Sequence, residues 1–457
     1  AEKLGIVYTP TEIVDFILHS ANDALADYFG HRLTDTDVHL LDPFTGTGTF
    51  LTRMLQSPEM LSDTDLDRKY RQEMHANEIV LLAYYVAAVN IESAFRARLD
   101  PDNTTDEAVD TSFPGMVLTD TFQMSEPRDW VDESILANNS ERIKRQQDTP
   151  IKVIVGNPPY SAAQGDTNYA YLDSRIRGTY AAHSQSRNVN SLYDSYIRAI
   201  RWASDRIEDQ GIVAFVTNAG WLDGDASAGI RHCLREEFSA IYVFDLKGNR
   251  RLSGDNARKD GGQIFLPSSG GGGGSQAPVT ISLLIKAPDH TGPASIYYHD
   301  IGDYLSTQEK LDRVADTGSY RNLDWQSIEP NQHNDWINQR GIEFQSLKPL
   351  TGSTDAVFEI RSNGLKSQRD TWVYNFTLSD LKSNVRQHIQ FFESEVERLK
   401  PELSKINLQK DREVFINQYV KHDLTKNKWT RGLKQEAARQ RLEPFNANQW
   451  VTAVYHP

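Results

Sequence analysis

The sequence predicts an α/β protein built on a mostly parallel sheet, followed by a C-terminal α+β region. Three observations carry this reading. Over roughly the first 300 residues, short runs of aliphatic and β-branched residues alternate with stretches of helical periodicity. The run Val38–Asp42 passes directly into a Gly-Thr-Gly turn and then into a helix-like stretch. Several runs, such as Ile151–Val155, Gly211–Thr217 and Ala240–Leu246, are apolar on successive positions, as strands covered on both faces must be.

Taken in order, the pattern predicts a helix from Thr11 to Tyr28, a strand at 38–42, a helix at 49–56 and a strand at 73–77. A helix at 78–97 and strands at 116–119 and 151–155 follow. Ile197, Ile200, Ala203 and Ile207 share one face of a helix between Leu192 and Glu208. Then come the strand at 211–217, a helix ending at Glu237, the strand at 240–246 and, closing the expected sheet, Val279–Lys286. Past about residue 300 the alternation fails, and a polar helical stretch runs from Leu378 to Lys400. The expected division is 1–30, 31–300 and 301–457.

With 457 residues, 39% hydrophobic and 25% charged, the chain has room for two or three globular domains. No apolar run is long enough to span a bilayer and no signal peptide is visible, so a cytoplasmic protein is expected. The lone Cys233 rules out a disulfide framework and reads as a core thiol on a helix. No His/Cys cluster has metal-ligand spacing, so no metal is expected; His39 and His75 read as packed strand residues. The net charge of −14 argues against a generic polyanion binder, but its distribution is uneven. Lys421 to Arg441 holds seven Lys or Arg against Asp423 and Glu436. Lys426, Lys428 and Arg431, with Trp429 and Tyr419 nearby, are candidates for a nucleic-acid surface; a solvated helix face is the plainer explanation.

Two motifs carry chemistry. Asn157-Pro158-Pro159-Tyr160 sits at the mouth of the 151–155 strand. Proline lacks an N–H and fixes φ, so the segment presents acceptors rigidly. The Asn157 side-chain oxygen and the Pro158 carbonyl suit the two hydrogens of an exocyclic amine, with Tyr160 stacked on the ring that bears it. The bland alternative is a Pro-rich turn ending an ordinary strand. The second motif is Asp42-Pro43-Phe44-Thr45-Gly46-Thr47-Gly48-Thr49-Phe50, where glycines let a ligand approach the backbone. It lacks the third glycine of a dinucleotide fingerprint and any Gly-Lys-Ser/Thr, so it is no P-loop.

Together the motifs resemble the amino-methyltransferases that use S-adenosylmethionine, specifically the adenine-N6 DNA methyltransferases of the γ motif order. The resemblance implies a Rossmann-like fold. It makes Tyr8, Thr9 and Pro10 a segment closing over the cofactor, and gives Asp42, Pro43, Thr45, Gly46, Gly48, Phe50, Glu78, Asp120 and Asn157 to cofactor binding. Asn157, Pro158, Pro159 and Tyr160 become catalytic, with Phe265 the candidate for the second face of a flipped base or, equally, a core residue. Gly261-Gly262-Gln263-Ile264-Phe265, Ser275–Val279, Ser362–Lys366 and Arg369–Asn375 further resemble the methyltransferase segment of type ISP restriction–modification enzymes. That implies double-stranded DNA as partner, nuclease and helicase-like domains in a parent polypeptide, and a target-recognition or coupling region, here incomplete, over 301–457. The chain, opening without Met and ending at Pro457, reads as a fragment or a truncated relative. Leu266–Ser269 and the run Gly270–Gly274 depart from the resemblance and read as an engineered linker or a natural flexible loop. RNA-adenine and protein-glutamine methyltransferases share the Asn-Pro-Pro-Tyr chemistry and stay open, as does a non-catalytic DNA-binding or coupling module.

Overall fold

A computed structural model describes residues 8–100, 110–126, 138–160, 169–186, 188–265, 277–341, 343, 346–351, 355–360, 375–406, 409–421, 429 and 431–439. It divides into two units, residues 1–342 and 343–457.

The first unit opens with α1 (Thr11–Phe29), β1 (His39–Asp42), α2 (Thr49–Gln56), α3 (Asp63–Arg68), β2 (Met74–Glu78), α4 (Leu81–Leu99), β3 (Met116–Leu118) and α5 (Asn139–Asp148). It continues with β4 (Ile151–Gly156), α6 (Ala170–Ile176), α7 (Ser195–Arg206), β5 (Gly211–Asn218), α8 (Ala228–Glu237), β6 (Ala240–Lys247) and α9 (Gly254–Asp260). The last elements are β7 (Val279–Lys286), β8 (Ser295–Asp300), α10 (Thr307–Thr317) and β9 (Gln326–Ile328). The strands form one sheet in the order β3-β2-β1-β4-β5-β7-β6-β8-β9. β3, β2, β1, β4 and β5 run parallel, whereas β7 is antiparallel to both β5 and β6.

Strand alternation sorts the core into two layers. Val153 and Val155 of β4, with Ile212, Ala214 and Val216 of β5, bury against α1, α2 and α4. Ile154, Val213 and Phe215 point the other way, against α6, α7 and α8. Cys233 is buried on α8, and His39 and His75 pack as a stacked pair with ring centroids 5.3 Å apart.

β7 does not close the sheet, as had been expected: β8 and β9 extend it beyond residue 300, and the first unit runs on to 342. Both strands escape sequence reading for a physical reason. β8 is Ser-Ile-Tyr-Tyr-His-Asp and only half buried, and β9 has three residues at the sheet edge, so neither shows the apolar run of a central strand. α4 starts at Leu81 rather than residue 78 because Glu78 still belongs to β2.

α1 is fastened at both ends. Near its start, Asp15 takes a two-pronged bond from Arg53 of α2 at 2.8 and 2.6 Å. Near its end, Asp27 takes another from Arg321 at 2.9 and 2.5 Å. Bidentate guanidinium–carboxylate pairs are among the more directional polar contacts, and these fix the chain entering α1 over the sheet.

In the second unit the described regular elements are helices: α11 (Leu378–Leu403), α12 (Gln409–Lys421) and α13 (Arg431–Arg439). Leu399, Leu403, Ile416, Val420, Trp429 and Leu433 form its core. Trp429 is therefore an interior residue, edge-on to Phe391 at 5.9 Å, and not part of a nucleic-acid surface. Arg398 covers the ring of Tyr419 at 4.9 Å.

Lys310 of α10 is fully buried, and its ammonium donates to the carbonyls of Leu246, Asp260 and Gly262, each at 2.8 Å. Burial pushes its pKa down to about 8. These bonds lash the segment between β6 and Phe265 to α10. Lys310→Met would leave all three carbonyls without this donor, and we expect a loss of about 2–4 kcal/mol in stability, measured by urea unfolding.

Candidate active site

The carboxyl ends of β1, β2, β3 and β4 converge on one edge of the sheet, and each has a polar residue at its end or within two residues beyond it. Parallel order makes this unavoidable: neighbouring strands pointing the same way deliver their last residues to the same edge.

Asp42 ends β1 at 1% exposure. Its Oδ1 accepts from the Phe44 N–H at 3.1 Å, while Oδ2 is buried with no partner among the described residues. Burial, assisted by the nearby Glu78 carboxylate, pushes the Asp42 pKa up to about 8; the Phe44 bond opposes this. Glu78 ends β2 and accepts from the N–H groups of Gly46 at 2.8 Å and Val80 at 2.7 Å. Burial raises its pKa too, against those backbone bonds. Asp120, just beyond β3, accepts from the Phe122 N–H at 3.0 Å and from the Tyr169 hydroxyl at 2.8 Å, and burial again raises its pKa. No cation partners any of the three among the described ion pairs.

The glycine turn is built by its own bonds. The Thr45 hydroxyl donates to the Asp42 carbonyl at 2.8 Å, and the Thr45 N–H donates to the Asn77 carbonyl at 3.0 Å. The Thr121 hydroxyl donates to the Pro43 carbonyl at 2.6 Å. Gly46 and Gly48 have φ of +57° and +85°, which disfavours side chains at both. Their surroundings differ. A Cβ at Gly46 would meet nothing closer than a carbonyl at 4.0 Å, whereas one at Gly48 would press on Ile91 and Ala87 of α4 at 3.2–3.3 Å. Gly46 thus leaves space beside Glu78, while Gly48 lets α2 lie against α4. Phe50 sits in the core below the turn at 3% exposure.

Asn157 follows β4, and its Nδ2 donates to the Thr9 hydroxyl at 3.0 Å. That bond commits the amide's donor side to the segment entering α1, where the Pro10 carbonyl accepts the N–H of Ile13 at 3.1 Å. The opposite side, Oδ1, is buried and has no partner among the described residues. Pro158 is buried and Pro159 half-buried beside it; Tyr8 is 65% exposed. The Tyr160 hydroxyl donates to the Val216 carbonyl at 3.2 Å, and its ring meets Phe265 at 5.8 Å with a 49° tilt. Two faces sandwiching a flat ring need roughly 7 Å between them. A base between Tyr160 and Phe265 therefore requires the rings to part, and Phe265, at 2% exposure, is a core residue as it stands.

The fold thus brings together Thr9, Pro10, Asp42, Pro43, Thr45, Gly46, Glu78, Asp120 and Asn157–Tyr160. Lys426 and Lys428 lie outside the described residues; Arg431 opens α13. Sequence reading missed several positions. Thr121 and Tyr169 hold the turn and Asp120 through long-range bonds that leave no local signal. Gly156 could have been found: it ends the strand beside β1, and a Cβ there would meet Asp42 Oδ1 at 3.1 Å. Ile79, directly after Glu78, is 61% exposed, an apolar side chain left open at the site's edge.

A parallel sheet with an antiparallel seventh strand between the fifth and sixth, and acidic strand ends flanking a Gly-x-Gly turn, defines a Rossmann-like methyltransferase fold. Comparison with known proteins places it further. Residues 76–251 match the Eco57I restriction-modification methylase family, and residues 356–457 match the Type ISP C-terminal specificity domain. A nuclease-deletion mutant of the Type ISP restriction-modification enzyme LlaGI, solved with a DNA substrate mimic, is 41% identical over 97% of this chain and 36% of that chain, with a TM-score of 0.86. The ATP-dependent Type ISP enzyme LlaBIII, solved bound to DNA, is 40% identical over 97% of this chain and 28% of that chain, with a TM-score of 0.81. DrdV, solved as a DNA complex, is 31% identical over 97% of this chain and 42% of that chain, with a TM-score of 0.79. No curated protein matches. The chain resembles the methyltransferase and specificity segments of type ISP restriction–modification enzymes, and spans between 28% and 42% of the length of these three.

Asp42 generates a test of the site's electrostatics. Its unfolded-state pKa is near 4 and its folded value about 8. Between these the folded chain holds the extra proton, so its contribution to stability falls as pH rises through the window. Asp42→Asn should remove that slope, up to about 1.4 kcal/mol per pH unit, when unfolding free energies of the two proteins are compared from pH 5 to 8.

Proposed function

We propose that the chain is the modification part of a restriction–modification enzyme and transfers a methyl group to adenine N6 of double-stranded DNA. The observation that carries this reading is Asn157: its amide is turned by Thr9 so that Oδ1 is left buried and without a partner. An acceptor held dry in this way is costly unless something donates to it. An exocyclic amine does so. Asn157 Oδ1 and the Pro158 carbonyl would take its two hydrogens, drawing the nitrogen lone pair out of conjugation with the ring, and Tyr160 would cover the ring. As positive charge grows on that nitrogen, both acceptors stabilise it without reorganising. Such an arrangement needs the base outside the duplex, with unstacking offset by contact with Tyr160.

The strand ends fit S-adenosylmethionine as the methyl source, which when bound supplies an electrophilic methyl on a sulfonium. Its cationic groups suit a site where Asp42, Glu78 and Asp120 are buried and lack cations. Glu78 beside the open space at Gly46 suits the ribose hydroxyls, and the exposed Ile79 offers an apolar surface to a flat ring. Double-stranded DNA is the partner in this reading, with Lys426, Lys428 and Arg431 as candidate phosphate contacts and further nuclease and helicase-like domains in the parent polypeptide.

Two measurements test it. Asn157→Ala should slow single-turnover methylation by about 10²–10³-fold while calorimetry gives an unchanged affinity for S-adenosylmethionine; the product from the wild-type protein should be N6-methyladenine. Equal rates in the two proteins, or 5-methylcytosine as product, refute the reading. Cofactor binding should also release up to one proton near pH 7, because a cation beside Asp42 lowers its pKa from about 8. Calorimetry in buffers of different ionisation enthalpy should detect that proton in the wild type and lose it in Asp42→Asn.

A further inference from the structure

Gln263 is buried at 5% exposure, and neither Oε1 nor Nε2 of its side chain has a hydrogen-bond partner among the described residues. A primary amide with both ends dry is destabilising, because each unmet group keeps its desolvation penalty. The residue is also unable to swing away. Its carbonyl accepts from the Thr307 hydroxyl at 2.9 Å, and the carbonyl of Gly262 before it accepts from Lys310 at 2.8 Å. The Gly262 N–H donates to the Leu305 carbonyl at 2.8 Å, and Gly248 lies so near that a Cβ there would meet Gln263 Cα at 3.1 Å. The backbone is fixed, yet no described residue satisfies the amide it carries.

Two residues along, Phe265 meets the ring of Tyr160 at 5.8 Å, and three residues before Tyr160 stands Asn157 with its own orphan oxygen. Two residues of chain span at most about 7 Å, so residue 263 stays within that backbone distance of the ring that meets Tyr160. The orphan groups of Asn157 and Gln263 thus lie on the two segments that carry the touching rings.

Which contact remains for Gln263 follows from the base. With both hydrogens of the exocyclic amine taken by Asn157 and Pro158, the polar atoms left on adenine beside that amine are the ring nitrogens N1 and N7, both acceptors. Resting on the function proposed above, we propose that Gln263 is a specificity-determining residue, donating its Nε2–H to one of these ring nitrogens of the flipped adenine.

The test is a cycle of protein and substrate changes, read as single-turnover methylation in the sequence the protein modifies. Duplexes carry adenine, 1-deazaadenine or 7-deazaadenine at the target and are offered to wild type, Gln263→Leu and Gln263→Glu. The wild type should methylate one deaza analogue about tenfold more slowly than adenine, the worth of one such bond. Gln263→Leu should be slower on adenine by a similar factor and show no further loss on that analogue. Gln263→Glu, which keeps the length and an acceptor but not the donor, should behave like Gln263→Leu and guards against a packing effect. Cofactor affinity should be unchanged in both variants. The proposal is overturned if either variant methylates adenine at the wild-type rate, or if the losses from variant and analogue multiply. A wild type that leaves adenine unmodified overturns the base pocket itself and Gln263 with it.

Discussion

The hydrogen bond from Asn157 Nδ2 to the Thr9 hydroxyl is the contact on which the site's chemistry turns. A side-chain amide has two chemically opposite ends, and a half-turn about its last bond exchanges them. Only a partner on one end decides which end faces the site. Asn157 gives its N–H side to Thr9, and Oδ1 is left buried with no partner among the described residues. That partner sits 148 residues away in sequence, and its position depends on α1. The Asp15–Arg53 and Asp27–Arg321 pairs hold α1 to α2 and to the segment after α10. The Asn157 amide thus bonds to a segment whose helix is anchored on elements remote from β4.

The carboxylates follow a different logic. Asp42 and Glu78 end adjacent strands, and Asp120 lies just past a third. Each keeps one or two backbone N–H donors, which hold the carboxylate in place but supply no countercharge. The result is a set of buried acids whose pKa values all move upward. A protein selected for stability alone gains by replacing such groups with apolar ones or pairing them with Arg, as it does at Arg201, whose guanidinium meets Glu237 at 2.7 Å and Asp205 at 2.6 Å. Leaving the strand-end acids without a countercharge is destabilising, and burial shifts each of them toward its protonated, neutral form.

Much of this could be read from the chain. Strands such as β4, β5 and β6 announce themselves because burial on both faces leaves them mostly apolar, and the strand-end motifs lie where such strands stop. What could not be read shares one cause: it depends on contacts distant in sequence. β9 is the edge strand and β8, beside it, is only half buried, so neither carries the apolar run of a central strand. Gly48 has a further constraint the sequence does not show: a side chain there would press on Ile91 and Ala87 of α4. Trp429, bracketed by lysines and an arginine in sequence, turned inward because a large aromatic surface gains more from the core of α11–α13 than from water.

Gln263 carries the same lesson furthest. In the sequence it is one polar residue in a short Gly-Gly-Gln-Ile-Phe run, with nothing to set it apart from a loop glutamine. Only three dimensions show that its backbone is clamped by Thr307 and Lys310 while its amide is left without a partner. Lys310 is what makes that arrangement tenable. Its three carbonyl partners come from the end of β6, the end of α9 and the residue before Gln263, so a single buried ammonium closes the whole excursion between β6 and Phe265. Without it, the loop could relax and let the amide reach solvent or a backbone group, and the unmet bonds would be satisfied at the expense of position. The clamp and the orphan amide are therefore one device: rigidity paid into the backbone keeps the side chain's hydrogen-bonding capacity free for the ligand.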